Sequence, residues 1–397
     1  MNPSINLVLA LSPRYSETFI SQKIRGLRKD GFRVLLFFGA GRSDPSGDVH
    51  AALPVFRERV LRSAGLSAYA LLSLALTRIR RVIRYLVADK ERGRSLFESM
   101  QGLVINYHLL RHGRKGWLHF SYATLAIGRE SVAQAIGARM SMSLRGYDVS
   151  LHPLTNPRCL ERAFASVQRV HTISDDLERE ARNQGLDRLV NVQKIPPAID
   201  TKFFSRRGSE SYSGVKPLRF LTVGRLHWKK GLEEVLMALR IFHEQNPDLP
   251  WRLHIVGDGK LRERIAYAAS EIHLLDRIEF KGSLTLDEVR SEYASASIYL
   301  QYSIQEGFCN AVIEAQSMEL PCIVSNAEGL PENVGNGSFG VVVPKCRPDL
   351  LAKAIVEMVE APDERRRKLG EEARQRVVTL YDIERQRESF RLFFANS

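Results

Sequence analysis

The sequence predicts an α/β protein with two doubly wound parallel sheets, and three observations support this fold class. First, the 397 residues are about 2.6 times the usual domain length of roughly 150 residues, so two domains are expected. Second, 44% of the residues are hydrophobic and 26% are charged, which is typical of a globular protein and excludes a disordered or low-complexity chain. Third, short apolar runs alternate with helical patterns along most of the chain, as in βαβ units.

The first half opens with a strand, a helix and a second strand, which read INLVLAL, ETFISQKIRGLRKDG and FRVLLFF. A basic helical insertion near residues 57–115 interrupts the alternation. The alternation of strands and helices then resumes with a helix near residues 124–137 and another from Asp175, for which Ser174 is the expected N-cap. The strands expected in this part are HFSYA, ARMSMSL, SVQRVHTIS and LVNVQKI. Together these elements predict an N-terminal Rossmann-like domain over residues 1–204.

The second half repeats the pattern after a polar segment. Residues 205–217, SRRGSESYSGVKP, are rich in Ser and Gly and have no periodicity, so they predict a linker. Residues 218–380 predict a second Rossmann-like domain with the strands RFLTVGR, WRLHIVG, RIEFKG, ASIYLQYS, LPCIVS and FGVVVP. Residues 381–397 are expected to form a helix that packs back on the N-terminal domain. Because ligands of open parallel sheets bind outside the carboxyl ends of the strands, we expect both domains to face a central cleft.

The charge and the cysteines limit the possible partners and the compartment. Lys plus Arg exceed Asp plus Glu by 58 − 45 = 13, which favours an anionic partner such as a nucleotide phosphate, a nucleic acid or an acidic membrane face. The four cysteines are too few and too scattered for a disulfide framework, and none has zinc-site spacing. The start of the chain lacks a basic segment and a cleavage site, so it predicts a strand and not a signal peptide. We therefore expect a cytoplasmic protein.

Much of the net charge lies between Arg57 and Lys115, where 13 Lys or Arg face 4 Asp or Glu. The longest apolar run there, residues 66–77, is far shorter than the roughly 20 residues needed to span a bilayer. A helical wheel predicts an apolar stripe formed by Leu72, Leu76, Ile79, Ile83 and Leu86, with the other side occupied by Arg78, Arg80, Arg81 and Arg84.

This amphipathic pattern leaves two interpretations open. The stripe faces the core and the polar side is solvated, or the basic side docks peripherally on anionic lipid headgroups at the inner face of the cytoplasmic membrane. A nucleic-acid partner is not expected, because the basic residues are not interleaved with stacking aromatics and no nucleic-acid-binding module is recognisable.

A glycine and several cations follow the first strand of the second domain, in the order GRLHWKKG over residues 224–231. A strand, a glycine, two cations and a helix N-terminus supply what a diphosphate requires, namely backbone N–H groups, a favourable dipole and a guanidinium. We therefore expect Arg225 and Lys230 to bind phosphate. A basic surface turn would have a similar sequence.

A second motif, YLQYSIQEGFCNAVIEAQSMELPCIVS, predicts a strand, a glycine-containing loop, a helix and another strand. Glu306 lies in the loop, and Glu314 lies two helical turns further along if the helix starts near Phe308. Gly307 permits close approach of the backbone, and the N–H groups at the helix start can bind an anion or a sugar hydroxyl. A loop carboxylate suits sugar hydroxyls or an oxocarbenium-like charge. The alternative is that the two acids are a solvated loop residue and a helix-surface residue.

These motifs together resemble the retaining GT-B glycosyltransferases, specifically glycosyltransferase family 4 (group 1), whose E-x7-E element matches Glu306 to Glu314. Further matches in the second half are IPPAIDTKFF, IVGDG at 255–259, GSLTLDEV at 282–289 and GLPENV at 329–334. In the first half, SPRYSETFI at 12–20, HF at 119–120 and RGYDVS at 145–150 are similar to bacterial exopolysaccharide and colanic acid type glycosyltransferases.

The resemblance implies that Arg225 and Lys230 hold the donor diphosphate and that Glu314 binds the ribose hydroxyls. It implies that Glu306 contacts the donor hexose on the face from which the leaving group departs. The acceptor would attack from that same face, with retention, and the main catalytic effect would be stabilisation of the charge that grows on the diphosphate. The other residues implied to bind the donor are Gly224, Gly257, Gly282, Ser283, Leu284, Gly307, Phe308, Cys309 and Asn310, with residues 282–284 at the base-contacting loop.

Arg145 departs from the family pattern, in which many members have His. Because the pKa of a guanidinium exceeds about 12, Arg145 is a poor general base, and we expect it to act electrostatically in catalysis together with Arg225, Lys230 and Glu306. The residues expected to bind the acceptor are Ser16, Glu17, Thr18, His119 and Asp148. A single His at a strand end is also commonly a structural residue whose hydrogen bonds are satisfied.

The predicted reaction is transfer of a hexose from a nucleotide diphosphate sugar to a lipid-linked or polysaccharide acceptor in the synthesis of cell-surface glycans. Relatives with UDP are more common than relatives with GDP, so a UDP-sugar is the expected donor. No D-x-D motif occurs, which disfavours the metal-dependent GT-A route, and neither a metal nor a cofactor is expected. Two alternatives stay open: a nucleotide-sugar epimerase of the same two-domain architecture and a non-catalytic nucleotide-binding scaffold.

Overall fold

Two parallel β-sheets, each in its own unit of the chain, form the framework of the protein. The computed structural model describes residues 3–10, 18–39, 48–53, 60–206 and 217–395. The first unit comprises Met1–Ile195 with Arg387–Ser397, and the second comprises Pro196–Gln386. Helices connect the strands in both units, so the predicted α/β class with two doubly wound parallel sheets is confirmed.

The sheet of the first unit has seven parallel strands in the order β3-β2-β1-β4-β5-β6-β7. They are β1 (Ser4–Leu9), β2 (Val34–Phe38), β3 (Val49–Ala51), β4 (Gly116–Phe120), β5 (Ala138–Ser143), β6 (Arg169–Thr172) and β7 (Asn191–Lys194). The sequence did not predict β3, because an edge strand of this length carries too few residues to show a pattern. The helices outside the insertion are α1 (Thr18–Lys29), α5 (Val132–Ile136), α6 (His152–Thr155), α7 (Glu161–Ser166) and α8 (Asp175–Asn183).

Two predictions about these helices have different outcomes. Ser174 caps α8 as expected, since its side chain accepts a hydrogen bond from the Leu177 N–H. The helix predicted near residues 124–137 is shorter than expected. A single 3-10 turn covers Ala123–Ala126, the backbone at Gly128 has φ of +77°, and only Val132–Ile136 is α-helical.

The central strands of the first sheet are buried on both faces, which explains their nearly continuous apolar sequences. The last helix of the chain, α16 (Ile383–Ala395), adds Phe390, Phe393 and Phe394 to the same core. The indole N–H of Trp117 donates a hydrogen bond to the carbonyl of Phe394 at 3.0 Å. Burial of three phenylalanine rings thus ties the end of the chain to the first unit.

The basic insertion consists of α2 (Val60–Glu91), α3 (Leu96–Ile105) and α4 (Tyr107–His112). Helix α2 is kinked at Arg78, whose φ and ψ are −141° and 31°. Its inner face is formed by residues that are at most 1% exposed, namely Ala70, Leu74, Tyr85 and Ala88. Within the described ranges, no helix has both the length and the apolar character needed to cross a membrane.

The apolar stripe predicted on α2 does not face the core, so that interpretation is wrong. The exposed fractions of Leu72, Leu76, Ile79 and Ile83 are 62%, 77%, 51% and 54%. A helical wheel shows that these side chains share a side of the helix, but it does not show which side is covered. Helices α3, α4 and α5 all pack against α2 and cover the side opposite the stripe.

The sheet of the second unit has six parallel strands in the order β10-β9-β8-β11-β12-β13. They are β8 (Leu218–Val223), β9 (Trp251–Val256), β10 (Ile278–Gly282), β11 (Ile298–Gln301), β12 (Cys322–Ser325) and β13 (Val341–Val343). The helices are α9 (Leu232–Gln245), α10 (Arg262–Glu271), α11 (Leu286–Ser295), α12 (Asn310–Ser317), α13 (Leu330–Asn333), α14 (Pro348–Glu360) and α15 (Asp363–Leu380). All six strands lie within or beside the apolar runs that predicted them.

The boundary between the units lies between Ile195 and Pro196, before the predicted end of the first domain at residue 204. Phe204 belongs to the second unit because its carbonyl accepts hydrogen bonds from Ser317 Oγ at 2.6 Å and from Arg374 Nη1 at 3.1 Å. Most of the predicted linker, residues 207–216, lies outside the described residues.

Candidate functional site

The strand order of the second sheet brings the two predicted motifs to one edge. The chain starts this sheet with β8, adds β9 and β10 on one side, and continues with β11 on the other side. Ligands of doubly wound sheets bind outside the carboxyl ends of the strands at such a reversal. Gly224 and Arg225 directly follow β8, and the segment that contains Glu306 follows β11. The topology therefore juxtaposes the basic turn and the acidic loop.

Backbone contacts hold these two segments together. Trp228–Lys230 form one 3-10 turn, and the Lys229 carbonyl accepts hydrogen bonds from the N–H of Ile304 at 2.7 Å and of Gln305 at 3.3 Å. Gly231 ends the turn with φ of +57°, and a Cβ at this position would lie 2.2 Å from the carbonyl oxygen of Tyr302. Only glycine fits both the backbone conformation and the space, so the close approach of the two segments depends on it.

Lys230 and Glu306 form an ion pair in which Lys230 Nζ donates a hydrogen bond to Glu306 Oε2. Both side chains are about one fifth exposed, and Ser303 Oγ donates a second hydrogen bond to Glu306 Oε2 at 3.3 Å. Burial alone would lower the pKa of Lys230, but the sulfur of Cys309 and the carboxylate of Glu306 outweigh this and raise it above its ordinary value. Lys230 is therefore a fixed positive charge at the strand edge.

Arg225 differs from Lys230 in its surroundings. Its side chain is exposed, and no described residue forms an ion pair or a hydrogen bond with it. Arg225 and Lys230 nevertheless line the same small pocket, together with Thr222, Val223, Gly224, Leu232 and Ile255. The pocket thus has one cation fixed by a carboxylate and one cation whose guanidinium is open to an anion.

Two residues that the sequence analysis did not select hold the Glu306 loop in place. Glu328 Oε2 accepts a hydrogen bond from the Glu306 N–H at 2.8 Å, and Glu328 Oε1 accepts one from Lys345 Nζ at 2.9 Å. Lys345 Nζ also donates to the carbonyl of Ile304 at 3.1 Å. Glu328 has φ of +36°, which is costly for a residue with a side chain and is found where the surrounding contacts enforce it. The only sequence signal is their position beside GLPENV and the last strand.

Helix α12 starts at Asn310, two residues later than the predicted start near Phe308. The Cys309 N–H, which was expected to bind donor, instead donates to Asn333 Oδ1 at 3.1 Å, and the Asn333 side-chain amide donates to the Cys309 carbonyl at 2.9 Å. That prediction needs correction, because the amide of Asn333 already satisfies both backbone groups. Burial also raises the pKa of the Cys309 thiol to about 11. Phe308 is buried as well, against the ring of Tyr381.

Glu314 is half-buried and hydrogen-bonded, so it is not the solvated helix-surface acid of the alternative interpretation. Tyr293 Oη donates to Glu314 Oε2 at 2.9 Å and lies 3.1 Å from the carbonyl of Ala311. Burial raises the pKa of Glu314 to about 7, and the Tyr293 hydrogen bond partly opposes this rise. Tyr293 is completely buried on α11 and was not singled out from the sequence.

The remaining donor-binding predictions fall at neighbouring strand ends. The Gly257 N–H donates to the Gly282 carbonyl at 2.7 Å, and a Cβ on Gly257 would lie 2.0 Å from the Gly224 carbonyl oxygen. Gly224 and Gly257 thus serve close backbone packing of β8 against β9. Ser283 is exposed and Leu284 is half-buried, just before the Thr285 cap of α11. Gly307 lies between Glu306 and the buried Phe308.

In the first unit, His119 belongs to a buried hydrogen-bond network. His119 is 0% exposed; its Nε2 lies 2.9 Å from Lys23 Nζ, and its Nδ1 lies 2.9 Å from Ser141 Oγ. Burial and the charge of Lys23 hold the pKa of His119 well below its ordinary range. His119 therefore fits the structural alternative, a histidine with satisfied hydrogen bonds. It presents no exposed polar atom to an acceptor.

Asp148 is also 0% exposed, and it connects two loops of the first unit. It accepts hydrogen bonds from the N–H of Ala123 at 2.6 Å and of Arg145 at 2.7 Å, and burial raises its pKa to about 7. Asp148 thus positions Arg145 through the backbone, and its predicted contact with an acceptor has no exposed atom to support it. Burial also lowers the pKa of the Arg145 guanidinium.

Three predicted acceptor-binding residues lie at or just before the start of the described range 18–39. Ser16 and Glu17 lie outside the described residues, and Thr18 is the first residue of α1. Over the parts of the chain that the structure describes, no group of three or more His, Cys, Asp or Glu side chains could hold a metal ion.

Comparison with known proteins finds similarity to glycosyltransferases, most clearly in the second half of the chain. Residues 209–376 match the family model of the group 1 glycosyl transferases. The chain is 28% identical over 179 residues to D-inositol 3-phosphate glycosyltransferase of Paenarthrobacter aurescens, covering 43% of this chain and 44% of the relative. It is 24% identical over 250 residues to the amylovoran biosynthesis glycosyltransferase AmsK of Erwinia amylovora, covering 61% and 60%.

A third relative is the GDP-mannose-dependent alpha-(1-6)-phosphatidylinositol monomannoside mannosyltransferase of Mycobacterium tuberculosis, which is 24% identical over 250 residues. This match covers 60% of the chain and 64% of the relative. The chain therefore spans less than two thirds of the length of each of these relatives.

Solved structures match over both units. Sucrose-phosphate synthase from Thermosynechococcus elongatus superposes with a TM-score of 0.72 at 20% identity and 100% coverage of both chains. HepE of Anabaena, solved in complex with UDP and glucose, superposes with a TM-score of 0.68 at 15% identity and 98% coverage of both chains. At these identities the matches show the fold, which is the GT-B fold.

Proposed function

We propose that the protein is a retaining hexosyltransferase that uses a nucleotide diphosphate sugar, because residues 209–376 match the family model of the group 1 glycosyl transferases and the chain has the GT-B fold. The acceptor is a lipid-linked or polysaccharide glycan of the cell surface. The observation that carries the proposal is the pocket after β8, where Arg225 is open to an anion and Lys230 is fixed by Glu306.

Arg225 and Lys230 bind the two phosphates of the donor and stabilise the charge that grows on the leaving diphosphate. Preorganised charges act most strongly on a transition state when they need not move during the reaction. Lys230 meets this condition, because its ion pair with Glu306 and the Glu328–Lys345 contacts behind Glu306 fix the loop before any ligand binds. Arg225 is open in this structure and closes on the diphosphate as a bidentate donor.

Glu306 and Glu314 bind sugar hydroxyls of the donor at two places. Glu306 contacts the hexose, and its carboxylate balances the positive charge that develops at the anomeric carbon. Glu314 accepts hydrogen bonds from the ribose, and Tyr293 orients its carboxyl group. The acceptor attacks from the face that the diphosphate leaves, which gives retention, and Arg145 assists electrostatically.

We propose UDP as the nucleotide of the donor. The names of the compared proteins support both UDP and GDP as candidates. HepE was solved with UDP and glucose, whereas the mycobacterial relative is GDP-mannose-dependent. The names of the amylovoran and phosphatidylinositol relatives support a polysaccharide or a lipid-linked acceptor. If the acceptor is lipid-linked, the protein would act at the inner face of the cytoplasmic membrane, with the basic region 57–115 facing anionic lipid.

The reaction needs no metal ion and no cofactor in this proposal, because Arg225 and Lys230 supply the positive charge toward the leaving group. Transfer should then be unchanged by a chelator. A loss of activity that Mg²⁺ or Mn²⁺ restores would contradict this part of the proposal.

Product analysis tests the proposed activity against its alternatives. Purified protein is incubated with a radiolabelled UDP-hexose, with and without membrane lipid extract or oligosaccharide acceptors. A transferase moves label to the acceptor and releases UDP. Conversion of the donor to its epimer without an acceptor would support an epimerase instead, and tight nucleotide binding with no turnover on any acceptor would support a scaffold. Lys353→Ala, a change on the exposed side of α14, is the matched control for Lys230→Ala.

A further inference from the structure

Helix α2 carries an exposed apolar face that the site described above does not use. We define the α2 apolar face as six side chains with exposed fractions between 49% and 77%, namely Tyr69, Leu72, Leu76, Ile79, Ile83 and Val87. Tyr69, Leu72 and Leu76 precede the kink at Arg78, and Ile79, Ile83 and Val87 follow it. Within each part of α2, the spacing of three or four residues places these side chains on one side of the helix. Contiguous apolar surface of this kind on a protein marks a docking site.

The α2 apolar face is exposed although the rest of the helix is well packed. The opposite side of α2 is at most 1% exposed at Ala70, Leu74, Tyr85 and Ala88, so the helix is fully engaged with the first unit on its inner side. The next helix, α3, also exposes two large apolar side chains at its start, Leu96 and Phe97, which are 71% and 72% exposed. Its start is fixed by a capping box between Ser95 and Glu98.

Positive charge borders the α2 apolar face. Arg80 and Arg84 are exposed and directly follow Ile79 and Ile83. They therefore lie along one edge of the face and not on the opposite side of the helix, where the sequence analysis had placed them. Helix α2 contains no Asp or Glu before Asp89, which is 1% exposed. The surface around the face is therefore complementary to a negatively charged partner. A second copy of the chain fits less well, because two such edges would bring arginines together.

We propose that the α2 apolar face inserts into the headgroup region of an anionic lipid bilayer, with α2 lying in the membrane plane. An interfacial helix has an apolar side that enters the acyl boundary and basic residues at the edge that reach the lipid phosphates. The α2 apolar face supplies the first part, and Arg80 and Arg84 supply the second. The proposed function already places the basic region 57–115 toward anionic lipid. The inference made here is that the apolar side chains of α2 also insert into the bilayer.

Vesicle flotation with the full-length chain tests this docking and needs no catalytic activity. The vesicles contain phosphatidylcholine alone or phosphatidylcholine with phosphatidylglycerol. We expect the wild type to bind the anionic vesicles at least about tenfold more tightly than the neutral ones, and salt should weaken this preference. The variant Leu72→Gln/Leu76→Gln should lower binding to anionic vesicles about tenfold or more at low and at high salt, because it removes inserted apolar surface.

Two further variants separate the contributions. Leu154→Gln/Leu189→Gln changes two exposed leucines of the same unit, 74% and 92% exposed, that lie outside the α2 apolar face, and it should bind vesicles as the wild type does. Arg80→Gln/Arg84→Gln should reduce the preference for anionic vesicles and its dependence on salt, while binding to neutral vesicles persists. Thermal unfolding should be nearly unchanged in all three, because the altered side chains are exposed.

Three results would overturn the proposal. The first is a folded wild type that does not float with anionic vesicles, and the second is a Leu72→Gln/Leu76→Gln variant that binds as the wild type does. The third is a wild type that is dimeric by light scattering and a face variant that is monomeric with unchanged vesicle binding. That outcome would assign the face to a second copy of the chain.

Discussion

Lys230 Nζ donates a hydrogen bond to Glu306 Oε2 between two segments that lie 76 residues apart in the chain. The contact joins the turn after β8 to the loop after β11, at the point where the strand order of the second sheet reverses. It also fixes the position of a positive charge beside the exposed guanidinium of Arg225 in one pocket. The proposed function depends on this arrangement.

Replacing Lys230 should reduce catalysis far more than it reduces stability. Lys230→Ala removes a preorganised cation from the leaving group, and we expect kcat/KM to fall by roughly 10²-fold or more. Steady-state kinetics with a UDP-sugar measure this fall. Lys353→Ala removes an equivalent charge from the surface of α14 and should leave kcat/KM within a factor of about two. An equal effect of both changes would show that only the net charge matters.

Glu306→Gln should separate folding from transfer. The amide keeps the size of the side chain and can accept the hydrogen bonds of Lys230 and Ser303, so circular dichroism and the unfolding midpoint should stay close to the wild type. Transfer should fall by about 10²-fold, because the negative charge that faces the anomeric carbon is lost. An unfolded variant would mean that Glu306 is mainly structural, and normal turnover would remove it from the catalytic residues.

Glu328 should act through the loop and not through the substrate. Glu328→Ala removes the acceptor of the Glu306 N–H and the partner of Lys345, and we expect kcat to fall about tenfold through lost positioning. Glu328→Gln keeps an acceptor for the N–H, so it should recover most of kcat. If the two variants were equally impaired, the charge of Glu328 would matter and the positioning role would be wrong.

Gly231→Ala should destabilise the second unit. The added methyl group meets the Tyr302 carbonyl oxygen at 2.2 Å on a backbone with φ of +57°, so we expect the free energy of unfolding to fall by roughly 2–4 kcal/mol. Gly337→Ala is the control in the same unit. Its φ of +102° is also unfavourable, but nothing lies within 4 Å of the added Cβ. Urea denaturation should show the larger loss for Gly231→Ala, and equal losses would exclude the predicted clash.

The affinity for UDP-glucose should depend on the ionisation of Glu314. Burial raises the pKa of Glu314 to about 7, so the carboxylate that accepts ribose hydroxyl hydrogens forms as the pH rises through that value. Affinity should therefore increase across this range, and Glu314→Gln should flatten the curve. Tyr293→Phe removes a hydrogen bond that lowers the pKa, so its curve should move to higher pH. UDP-glucose suits this titration, because its diphosphate has no group that titrates near neutrality.

The same pKa gives a prediction for stability. The folded protein keeps the proton of Glu314 up to about pH 7, whereas the unfolded chain loses it near about pH 4.3. The free energy of unfolding should therefore decrease as the pH rises from about 4.3 to about 7. Glu314→Gln should remove this part of the pH dependence. Urea unfolding of both proteins at several pH values measures it, and parallel curves would contradict the raised pKa.

The sequence predicted the parts of the fold and site that depend on local pattern. Apart from β3, the strands of both sheets follow from apolar runs, and the cap at Ser174 follows from residue type. Arg225, Lys230 and Glu306 could be selected because each lies in a short motif directly after a buried strand. The strand order of the second sheet places β8 beside β11, which is why the two motifs meet. Neither motif alone predicts this contact.

The missed residues act across long separations and lie in no motif. Lys345 reaches the Glu306 loop from beyond the last strand, and Tyr293 reaches Glu314 from the preceding helix. The Cys309 N–H, which the helix-start pattern predicted to bind a ligand, donates its hydrogen bond to Asn333 Oδ1. Similarly, the wheel of α2 showed one apolar side but not that packing covers the other. Such contacts are fixed by tertiary packing, which local pattern does not encode.

Isothermal titration of UDP-glucose into the wild type, Arg225→Ala and Lys353→Ala directly tests whether the pocket after β8 binds the donor diphosphate. We expect the wild type and Lys353→Ala to bind with similar dissociation constants. For Arg225→Ala we expect a dissociation constant about tenfold or more higher, because a charge-assisted bidentate contact to phosphate is lost. Absence of binding to the folded wild type, with UDP-glucose and with GDP-mannose, or equal affinity of all three proteins, would contradict this role of the pocket.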